Sequence, residues 1–385
     1  MQTIYLLKIF LLTVYLAGMG FNPGGIFPGT NKTVNADSTV TISISAVGDL
    51  MCHSVQYDYA RVNKDSFDFK PVYGEIKKYL DKSDLTMANL ETVTAGAAEK
   101  YSGYPMFNSP DEFVSALKYA GFNLITTANN HALDRGEKGV IRTIEQLKKN
   151  GINYEGTFLS KRDQDSIRIF NLKGIKLAVL AYTYGTNGNR IPSGKNYLIN
   201  IIDTTRIKEN IISARKEGAE LVLIYFHFGL EYKREPIEFQ KEIVAKTIGY
   251  GADIILGGHP HVIEPTEFYK THNAKLDSGF VIYSLGNFIS NQSWRYSDAG
   301  IVLTINITKN IQRDSLYISS VNYLPTWVFK GTTEDGKKYF ILPDEPTYAD
   351  TSYKFLTAGD KIKMHQAFED TKAIVTQNTH RIRLK

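Results

Sequence analysis

Cysteine is almost absent from this chain of 385 residues, because Cys52 is the only one. No internal disulfide can form, so a hydrophobic core must hold the fold. An excess of one charge is also missing: 45 lysines and arginines nearly balance 40 aspartates and glutamates, which leaves a net charge of +5. Neither a basic run nor an RNA-binding signature is present, so the sequence argues against nucleic acid as a partner. The hydrophobic content of 43% is that of a globular protein.

Long apolar runs are missing except at the N-terminus, where residues 4–21 are almost wholly apolar. This run is shorter than the roughly 20 residues of a membrane-spanning helix, and it is typical of a signal peptide or an uncleaved anchor. The stretch that follows is rich in Gly, Pro, Asn and Thr, as linkers are. The sequence therefore predicts a signal peptide or N-terminal membrane anchor over residues 1–21, a linker over residues 22–38, and an extracytoplasmic protein that is membrane-anchored or secreted.

Beyond the linker, short apolar strands alternate with amphipathic helices. This alternation predicts an α/β architecture, and strands that are apolar throughout predict burial on both faces. The helices are predicted over residues 137–149, 204–217 and 237–250. A hairpin that turns at Lys173 and Gly174 adds antiparallel strands, so the sheets are predicted to be mixed. We expect a main domain over residues 39–330 and a looser C-terminal extension over residues 331–385.

Polar residues of unusual type follow five of the predicted strands. Taken strand by strand, they are Asp49 and His53; Asn89 and Glu91; Asn129, Asn130, His131 and Asp134; His227 and Glu231; and His259 and His261. Five of the eight histidines of the chain belong to this set. Because parallel strands place their C-terminal ends along one edge of an open sheet, we expect these side chains to converge on one site.

The chemistry of this set predicts a divalent metal. Carboxylate, imidazole and amide groups suit Zn, Mn or Fe, and the lack of thiolates argues against a structural cysteine-type zinc site. A carboxylate such as Asp49 or Glu91 could bridge two ions about 3.5–4 Å apart, an arrangement that activates water and clamps a phosphoryl or acyl oxygen. A kink supplied by Gly257, Gly258 and Pro260 could turn the two histidines of the fifth segment toward one ion. The alternative is a binding pocket that uses the same polar residues without metal.

His131 and Asp134 have the pairing that a general acid needs, an imidazole with an orienting carboxylate. Asp134 could equally cap the helix that begins near Gly136. The sequence alone leaves these two alternatives open.

Three further residues are predicted to support the site. Glu231 could ligate a metal, hydrogen-bond a metal-binding histidine from behind, or pair with Lys233; the second role is our preferred prediction. Ser284 and Asn287 follow another strand in the segment SLGNF. We expect both to position the site from below.

The chain resembles the CapA family of capsule-synthesis proteins, also called PgsA in producers of poly-γ-glutamate, in six ordered segments: VGDLMCH, ANLET, TTANNHALDRG, FHFGLEY, GGHPHVIEP and YSLGNF. These segments span about residues 46–290. The resemblance implies a calcineurin-like metallophosphoesterase fold, which is a four-layer α/β/β/α sandwich. It also implies a role in making, exporting or anchoring poly-γ-glutamate at the cell envelope. The expected partners are an anionic polymer or phosphoester substrate and the membrane subunits of a capsule synthase.

The resemblance also implies residue roles and a cofactor of one or two divalent ions, Mn, Zn or Fe. The implied metal ligands are Asp49, Glu91, Asn130, His227, His259 and His261. His131 is expected to face the substrate and to act in catalysis with Asp134. The residues expected to contact substrate or to support the ligands are His53, Asn89, Glu231, Ser284 and Asn287.

Three departures from the usual metallophosphoesterase pattern separate this chain from classical enzymes of that type. Met51 stands where the usual Asp-x-His opening has its histidine, although His53 follows two residues later. The second motif has Asn-Leu-Glu, ending at Glu91, in place of Gly-Asp. Ala132 replaces the Asp that usually follows Asn-His. Two functions therefore stay open: a metal-dependent hydrolase, and a noncatalytic polymer-binding subunit for capsule assembly or transport.

Overall fold

The computed structural model describes residues 38–345 and 353–385. The signal peptide or anchor predicted over residues 1–21 lies outside the described residues, as does nearly all of the predicted linker. Among the residues that are described, no helix is both long and apolar enough to cross a membrane.

The first sheet has nine strands within the described residues. In spatial order they are β16 (Gly336–Pro343), β15 (Ser315–Thr333), β14 (Ala299–Asn310), β1 (Thr39–Leu50), β4 (Leu85–Leu90), β5 (Leu124–Thr126) and β6 (Asn153–Glu155), with β13 (Asn287–Ile289) beside β1 and β17 (Ile382–Leu384) beside β15. Strands β1, β4, β5 and β6 run parallel to one another. Strands β14, β15 and β16 are joined to them by antiparallel pairing. The prediction of a mixed sheet is therefore confirmed.

The second sheet has six strands in the described part of the chain, in the order β11 (Thr266–Lys270), β12 (Ser278–Ile282), β10 (Ile254–Gly258), β9 (Leu221–His227), β8 (Ile175–Thr183) and β7 (Ile169–Leu172). Strands β8, β9, β10 and β12 are parallel. The predicted hairpin is confirmed, because β7 pairs antiparallel with β8. Its two turn residues, Lys173 and Gly174, have φ of 50° and 89°, the left-handed conformation that tight hairpins favour. Strands β2 (Arg61–Asn63) and β3 (Ser66–Phe67) form a separate pair.

Helices cover the outer faces of both sheets. The described α-helices are α1 (Ser54–Ala60), α2 (Lys77–Leu80), α3 (Asp111–Ala120), α4 (Gly136–Lys149), α5 (Lys161–Asp165), α6 (Thr204–Lys216), α7 (Glu238–Tyr250) and α8 (Ala358–Val375). Phe113 of α3 and Ile144 of α4 pack with Ile125 of the first sheet. Ile211 of α6 and Ile243 of α7 pack with the second sheet. The predicted four-layer α/β/β/α sandwich is confirmed by this order of layers.

Alternation along the strands decides which side chains face the layer between the sheets. In β9, residues 221, 223 and 225 join the core between the sheets, whereas residues 222, 224 and 226 pack beneath the outer helices. In β4, Leu85 and Met87 join the same inner core. Full burial of one such side chain contributes about 1.5–3 kcal/mol. Because side chains alternate with a period of two, His227 in β9 and Asn89 in β4 lie on the inner faces of their sheets.

The segment after residue 330 is tied to the first sheet. β15 continues through residue 330 to Thr333, and β16 pairs with its last residues, so the predicted domain boundary falls inside a strand. Met364 and Ala367 of α8 pack against Trp327 and Phe329 of β15. Residues 331–345 and 353–385 thus contribute two strands, β16 and β17, and the helix α8 to the same body of structure.

Candidate metal centre

The predicted site lies between the two sheets, at the C-terminal ends of β1, β4, β9 and β10. The expectation of one open sheet edge needs correction here, because β1 and β4 belong to the first sheet and β9 and β10 to the second. In β1 the pairing with β4 shifts register between Ala46 and Asp49. His227 ends β9 opposite Gly258, the last residue of β10. Carboxylates from one sheet therefore face imidazoles from the other.

Asp49 is fully buried and well supplied with donors. Its Oδ1 accepts hydrogen bonds from Asn89 Nδ2 at 2.8 Å and Tyr225 Oη at 3.2 Å, and its Oδ2 accepts from the backbone N–H of His259 at 3.1 Å. Nδ1 of His261 lies 3.4 Å from the same Oδ2. Burial acts to raise the pKa of Asp49, but the hydrogen bond and positive charge of His261, with His227 nearby, hold that pKa well below its usual value. Asp49 is therefore a stable carboxylate.

Glu91 has the opposite surroundings. It is also fully buried, yet neither of its carboxylate oxygens has a hydrogen-bond partner among the described residues. Its Oε1 lies 3.5 Å from His227 Nε2 and 3.7 Å from His261 Nε2. Burial raises the pKa of Glu91 to about 8. A buried carboxylate without donors is costly, so this group indicates a cation that its oxygens would bind.

Three amides orient two of the imidazoles. Asn89 Nδ2 lies 3.3 Å from His227 Nδ1, and Asn130 Oδ1 lies 2.8 Å from His227 Nε2. Asn287 Oδ1 lies 3.1 Å from His261 Nδ1. This contact leaves His261 Nε2 directed toward Glu91. Asn89 and Asn287 thus fix ring orientation in the way that partners behind metal-binding histidines do, whereas Asn130 Oδ1 lies at His227 Nε2, the nitrogen that faces Glu91.

Backbone strain, and not a glycine kink, turns the two histidines of the fifth segment. His259 and His261 have φ of 96° and 58°, values that residues with a side chain rarely adopt. A glycine is required at position 258 for lack of space, because a Cβ there would lie 2.0 Å from Tyr225 Oη and 2.8 Å from Asp49 Oδ1. The left-handed residues are therefore the two histidines and not Gly257 or Gly258, while the predicted part of Pro260 in the turn stays a prediction. Such strain persists where the surrounding structure fixes it, often at functional sites.

The donor atoms fit a divalent metal. Three trios each bring one ligand atom per residue to within 4.8 Å of the others: Glu91, His227 and His259; Asp49, Glu91 and His261; Glu231, His259 and His261. Glu91 belongs to two of these trios, which is where a bridging carboxylate would lie. His259 Nδ1 is buried with no hydrogen-bond partner among the residues that the structure describes, and burial holds the pKa of His259 well below its usual value. The neutral imidazole is the form that binds metal.

His131 and Asp134 form a second, adjoining unit. His131 Nδ1 lies 2.8 Å from Asp134 Oδ2, and both residues are buried. Asp134 Oδ2 also accepts a hydrogen bond from the backbone N–H of Phe107 at 2.7 Å, and the Phe107 ring packs edge-on against the imidazole. Helix α4 begins at Gly136 without a side-chain cap. Of the two alternatives for Asp134, the structure shows the contact with His131.

The remaining predicted residues lie around this centre. His53 lines the site's pocket, with its backbone N–H bonded to Gln56 Oε1; burial lowers the pKa of His53 to about 4. Glu231 is exposed at the mouth, near His259 and His261. Ser284 Oγ accepts a hydrogen bond from the backbone N–H of Gly286. Ser284 thus lies in the loop after β12 and outside the three ligand trios, and its predicted supporting role stays a prediction.

Sequence reasoning missed two contacts. Tyr225 lies two residues before His227 in β9, so the two side chains are on the same face of the sheet. That spacing could have indicated the contact between Tyr225 and Asp49. Asn187 lies in a loop at φ 50°, with Oδ1 3.3 Å from Asn130 Nδ2 and Nδ2 3.4 Å from His131 Nε2. No pattern in the sequence singles out Asn187, because the loop is generally rich in Gly and Asn.

Comparison with known proteins gives one family. The description "Bacterial capsule synthesis protein PGA_cap" matches residues 43–292. The capsule biosynthesis protein CapA of Bacillus anthracis is 30% identical over 269 residues, which are 68% of this chain and 63% of that protein. The PGA biosynthesis protein CapA of Bacillus subtilis (strain 168) is 28% identical over 282 residues, 72% of this chain and 70% of that protein. The chain thus spans less than two thirds of the Bacillus anthracis protein.

Two solved structures are similar at low sequence identity. The calcineurin-like phosphoesterase YfkN of Bacillus subtilis is 14% identical with a TM-score of 0.43, covering 87% of this chain and 98% of that one. The NAD nucleotidase NadN of Haemophilus influenzae is 14% identical with a TM-score of 0.45, covering 90% of this chain and 57% of that one.

Proposed function

Because this chain belongs to the bacterial capsule synthesis protein family PGA_cap, we propose that it is an envelope protein of capsule synthesis with a metal-dependent hydrolase site. The proposed substrate bond lies in a capsule polymer of the poly-γ-glutamate type or in a phosphoester. The observation that carries this proposal is Glu91, a fully buried carboxylate that faces His227 and His261 and receives no hydrogen bond from residues 38–345 or 353–385. Such a group is stable at neutral pH when a cation occupies the space between these side chains.

The metal would be held by Asp49, Glu91, Asn130, His227, His259 and His261, with one or two ions of Mn, Zn or Fe. A divalent metal in such a site supplies a Lewis acid and an activated water. The chain itself fixes the ligands: Asn89 and Tyr225 hold Asp49, and Asn287 holds His261. A site that is ordered in this way does not have to rearrange on binding.

His131 is the proposed proton donor to the leaving group. Asp134 accepts a hydrogen bond from Nδ1 of His131. The proton that His131 would donate is therefore carried at Nε2, in the pocket that Glu231 and Tyr104 also line. Asn187 Nδ2 lies 3.4 Å from this Nε2 and marks where a substrate oxygen could approach. The Phe107 ring covers one side of the imidazole and limits its exchange with water.

The proposed location is outside the cytoplasm, with residues 1–21 as signal peptide or membrane anchor. The apolar character of residues 4–21 supports this location. The proposed partners are the membrane subunits of a capsule synthase.

A metal analysis of a paired histidine variant tests the proposal. We expect the purified full-length chain to contain stoichiometric Mn, Zn or Fe by elemental analysis and to hydrolyse a phosphodiester or γ-glutamyl model substrate. His259→Ala with His261→Ala should lose the metal and the activity, because both imidazoles belong to the ligand trios. The matched control is His272→Ala with His380→Ala, which removes two exposed histidines outside the site. Metal-free wild-type protein, together with normal capsule in a strain that carries the first variant, would overturn the proposal.

A noncatalytic polymer-binding subunit is the second candidate, and the first motif favours it. Met51 takes the place of a metal-binding histidine there, and its side chain lines the pocket without offering a strong ligand. This candidate predicts that polymer binding survives chelation of metal and that Asp49→Asn still supports capsule export. Loss of both binding and export under those conditions would contradict it.

A further inference from the structure

Exposed apolar side chains concentrate around the mouth of the candidate metal centre. Among the described residues, 14 large hydrophobic side chains are exposed. Three of them, Tyr104, Tyr232 and Trp294, line the pocket at this mouth, and the ring of Tyr184 lies 4.6 Å from that of His259. Exposed apolar groups that cluster in this way mark a binding surface more often than isolated ones do.

The pocket at this mouth has a volume of about 380 Å³, and Tyr104, Tyr232 and Trp294 are among its lining residues. Neither lysine nor arginine lines it within the described residues, and its lining includes the carboxylate of Glu231. Lys330 Nζ donates to Asn291 Oδ1 of the lining at 2.9 Å, and the charge of His261, which also lines the pocket, is paired with the buried Asp49. A pocket of this composition does not offer the ion pairs that a polyanion needs along its length.

The aromatic rings form a corner, not a parallel slot. The rings of Tyr232 and Trp294 are 5.3 Å apart and inclined at 68°. Tyr232 lies 6.1 Å from the His261 ring, and Tyr104 lies 6.4 Å from the His131 ring on the other side. A flat heterocycle is best held between parallel faces, whereas a corner matches a thick, puckered ring with C–H groups on two sides.

Tyr232 is held in place before any ligand arrives. Its backbone N–H donates to the Pro260 carbonyl at 2.7 Å, between the two histidines of the metal loop. Gln292 Nε2 donates to Tyr232 Oη at 3.1 Å. Its φ of 64° is strained for a residue with a side chain. The ring is therefore positioned by the loop that carries His259 and His261.

We propose that this mouth binds an uncharged sugar ring of a glycan, with the rings of Tyr232 and Trp294 against its C–H faces. The side chains of Asn291 and Gln292 also line the pocket and supply amide groups for the sugar hydroxyls. The inference rests on the proposed function and narrows it: of the two substrate bonds proposed there, a phosphoester attached to this sugar, and not a bond of poly-γ-glutamate, is the one presented to the metal centre. It places an uncharged glycan, and not the charged part of a polymer, beside the metal.

Titration calorimetry with three probes tests this inference on the purified full-length chain. The probes are a neutral tetrasaccharide of β-1,4-linked N-acetylglucosamine, adenosine as a flat heterocycle, and poly-γ-glutamate. We expect binding of the tetrasaccharide alone, and about tenfold weaker binding or more in Tyr232→Ala, because this residue forms one wall of the corner. Tyr317→Ala is the matched control: Tyr317 is 45% exposed, against 41% for Tyr232, and does not line this pocket. It should bind as the wild type does.

Tryptophan emission locates the ligand independently. Trp294 is 50% exposed and Trp327 is 4% exposed, so a change in emission on adding tetrasaccharide should come from Trp294 and disappear in Trp294→Phe. Equal tetrasaccharide binding by Tyr232→Ala and wild type, or binding of adenosine or the polymer in its place, would overturn the inference.

Metal content, measured on the same preparations, separates this inference from the proposed function. If the protein contains metal but does not bind the tetrasaccharide, the inferred sugar site is wrong and the proposed metal site is unaffected. Metal-free protein that binds the tetrasaccharide through Tyr232 supports the sugar site and counts against the metal-dependent hydrolase.

Discussion

The two sides of the candidate metal centre are built by different means. On the side of the first sheet, the carboxylates of Asp49 and Glu91 are equally buried, but hydrogen bonds saturate one and leave the other without a donor. On the side of the second sheet, the imidazoles of His259 and His261 are placed by left-handed backbone. The difference teaches that backbone conformation sets the histidine side, whereas on the carboxylate side the described residues supply hydrogen-bond donors to Asp49 and none to Glu91.

The largest expected effect concerns His131, the proposed proton donor, which adjoins the carboxylate side of the centre. In Asp134→Asn, the carboxylate whose Oδ2 faces both His131 Nδ1 and the Phe107 N–H becomes a neutral amide, so the negative charge beside the proton-donating imidazole is lost. We expect kcat on a hydrolysed substrate to fall about 10²–10⁴-fold, with KM and metal content nearly unchanged. Asp203→Asn, which keeps a good helix cap at the start of α6, is the control. Loss of metal in Asp134→Asn would show that the His131–Asp134 pair and the metal centre do not act independently.

The next effect compares the two carboxylates directly. In metal-free protein, Asp49→Asn should lower the free energy of unfolding by about 2–4 kcal/mol, because it disrupts a buried, fully bonded carboxylate. Glu91→Gln should change it by less than about 1 kcal/mol, because Glu91 has no hydrogen bond to lose. Urea unfolding measures both values. Similar losses in the two variants would remove the distinction between them.

Added metal should widen the difference in stability between the wild type and Glu91→Gln. At a metal concentration of about 100 times Kd, the wild type should gain about 2.7 kcal/mol of stability, and Glu91→Gln should gain much less. An equal gain in both proteins would mean that Glu91 does not bind the metal.

A smaller effect tests the histidine side. Gly258→Ala places a Cβ against Tyr225 Oη and Asp49 Oδ1 and should cost about 1–3 kcal/mol of stability. Gly249→Ala, within α7 and with nothing within 4 Å of the added Cβ, is the matched control and should gain about 0.5–1 kcal/mol. Thermal unfolding of the two variants checks the difference. If Gly258→Ala does not lower the stability, then the close packing of Gly258 against Tyr225 and Asp49 is not required for folding.

Much of this arrangement could be predicted from the sequence. Polar residues after apolar strands predicted the convergence of Asp49, Glu91, His227, His259 and His261, because strand ends in α/β folds carry ligand sites. The helices over residues 137–149, 204–217 and 237–250 were predicted to within one residue at each end, because their apolar periodicity and terminal glycines are clear. The metal-ligand roles of these residues stay predictions.

Other features could not be read from one sequence, for physical reasons. The division of the strand ends between two sheets depends on which strands pair, and pairing joins residues far apart in the chain. The left-handed conformation of His259 depends on its surroundings, since no local rule favours it. Asn187 reaches His131 only because two loops from different sheets meet. The strand β16 was missed because its partner, β15, crosses the predicted boundary at residue 330.

Anomalous diffraction from crystals grown with Mn, at the Mn absorption edge, tests the central claim most directly. The account predicts a peak within about 2.0–2.6 Å of a Glu91 oxygen and of at least one imidazole nitrogen among His227, His259 and His261. A site without a peak, with both Glu91 oxygens bonded to protein donors, would contradict it.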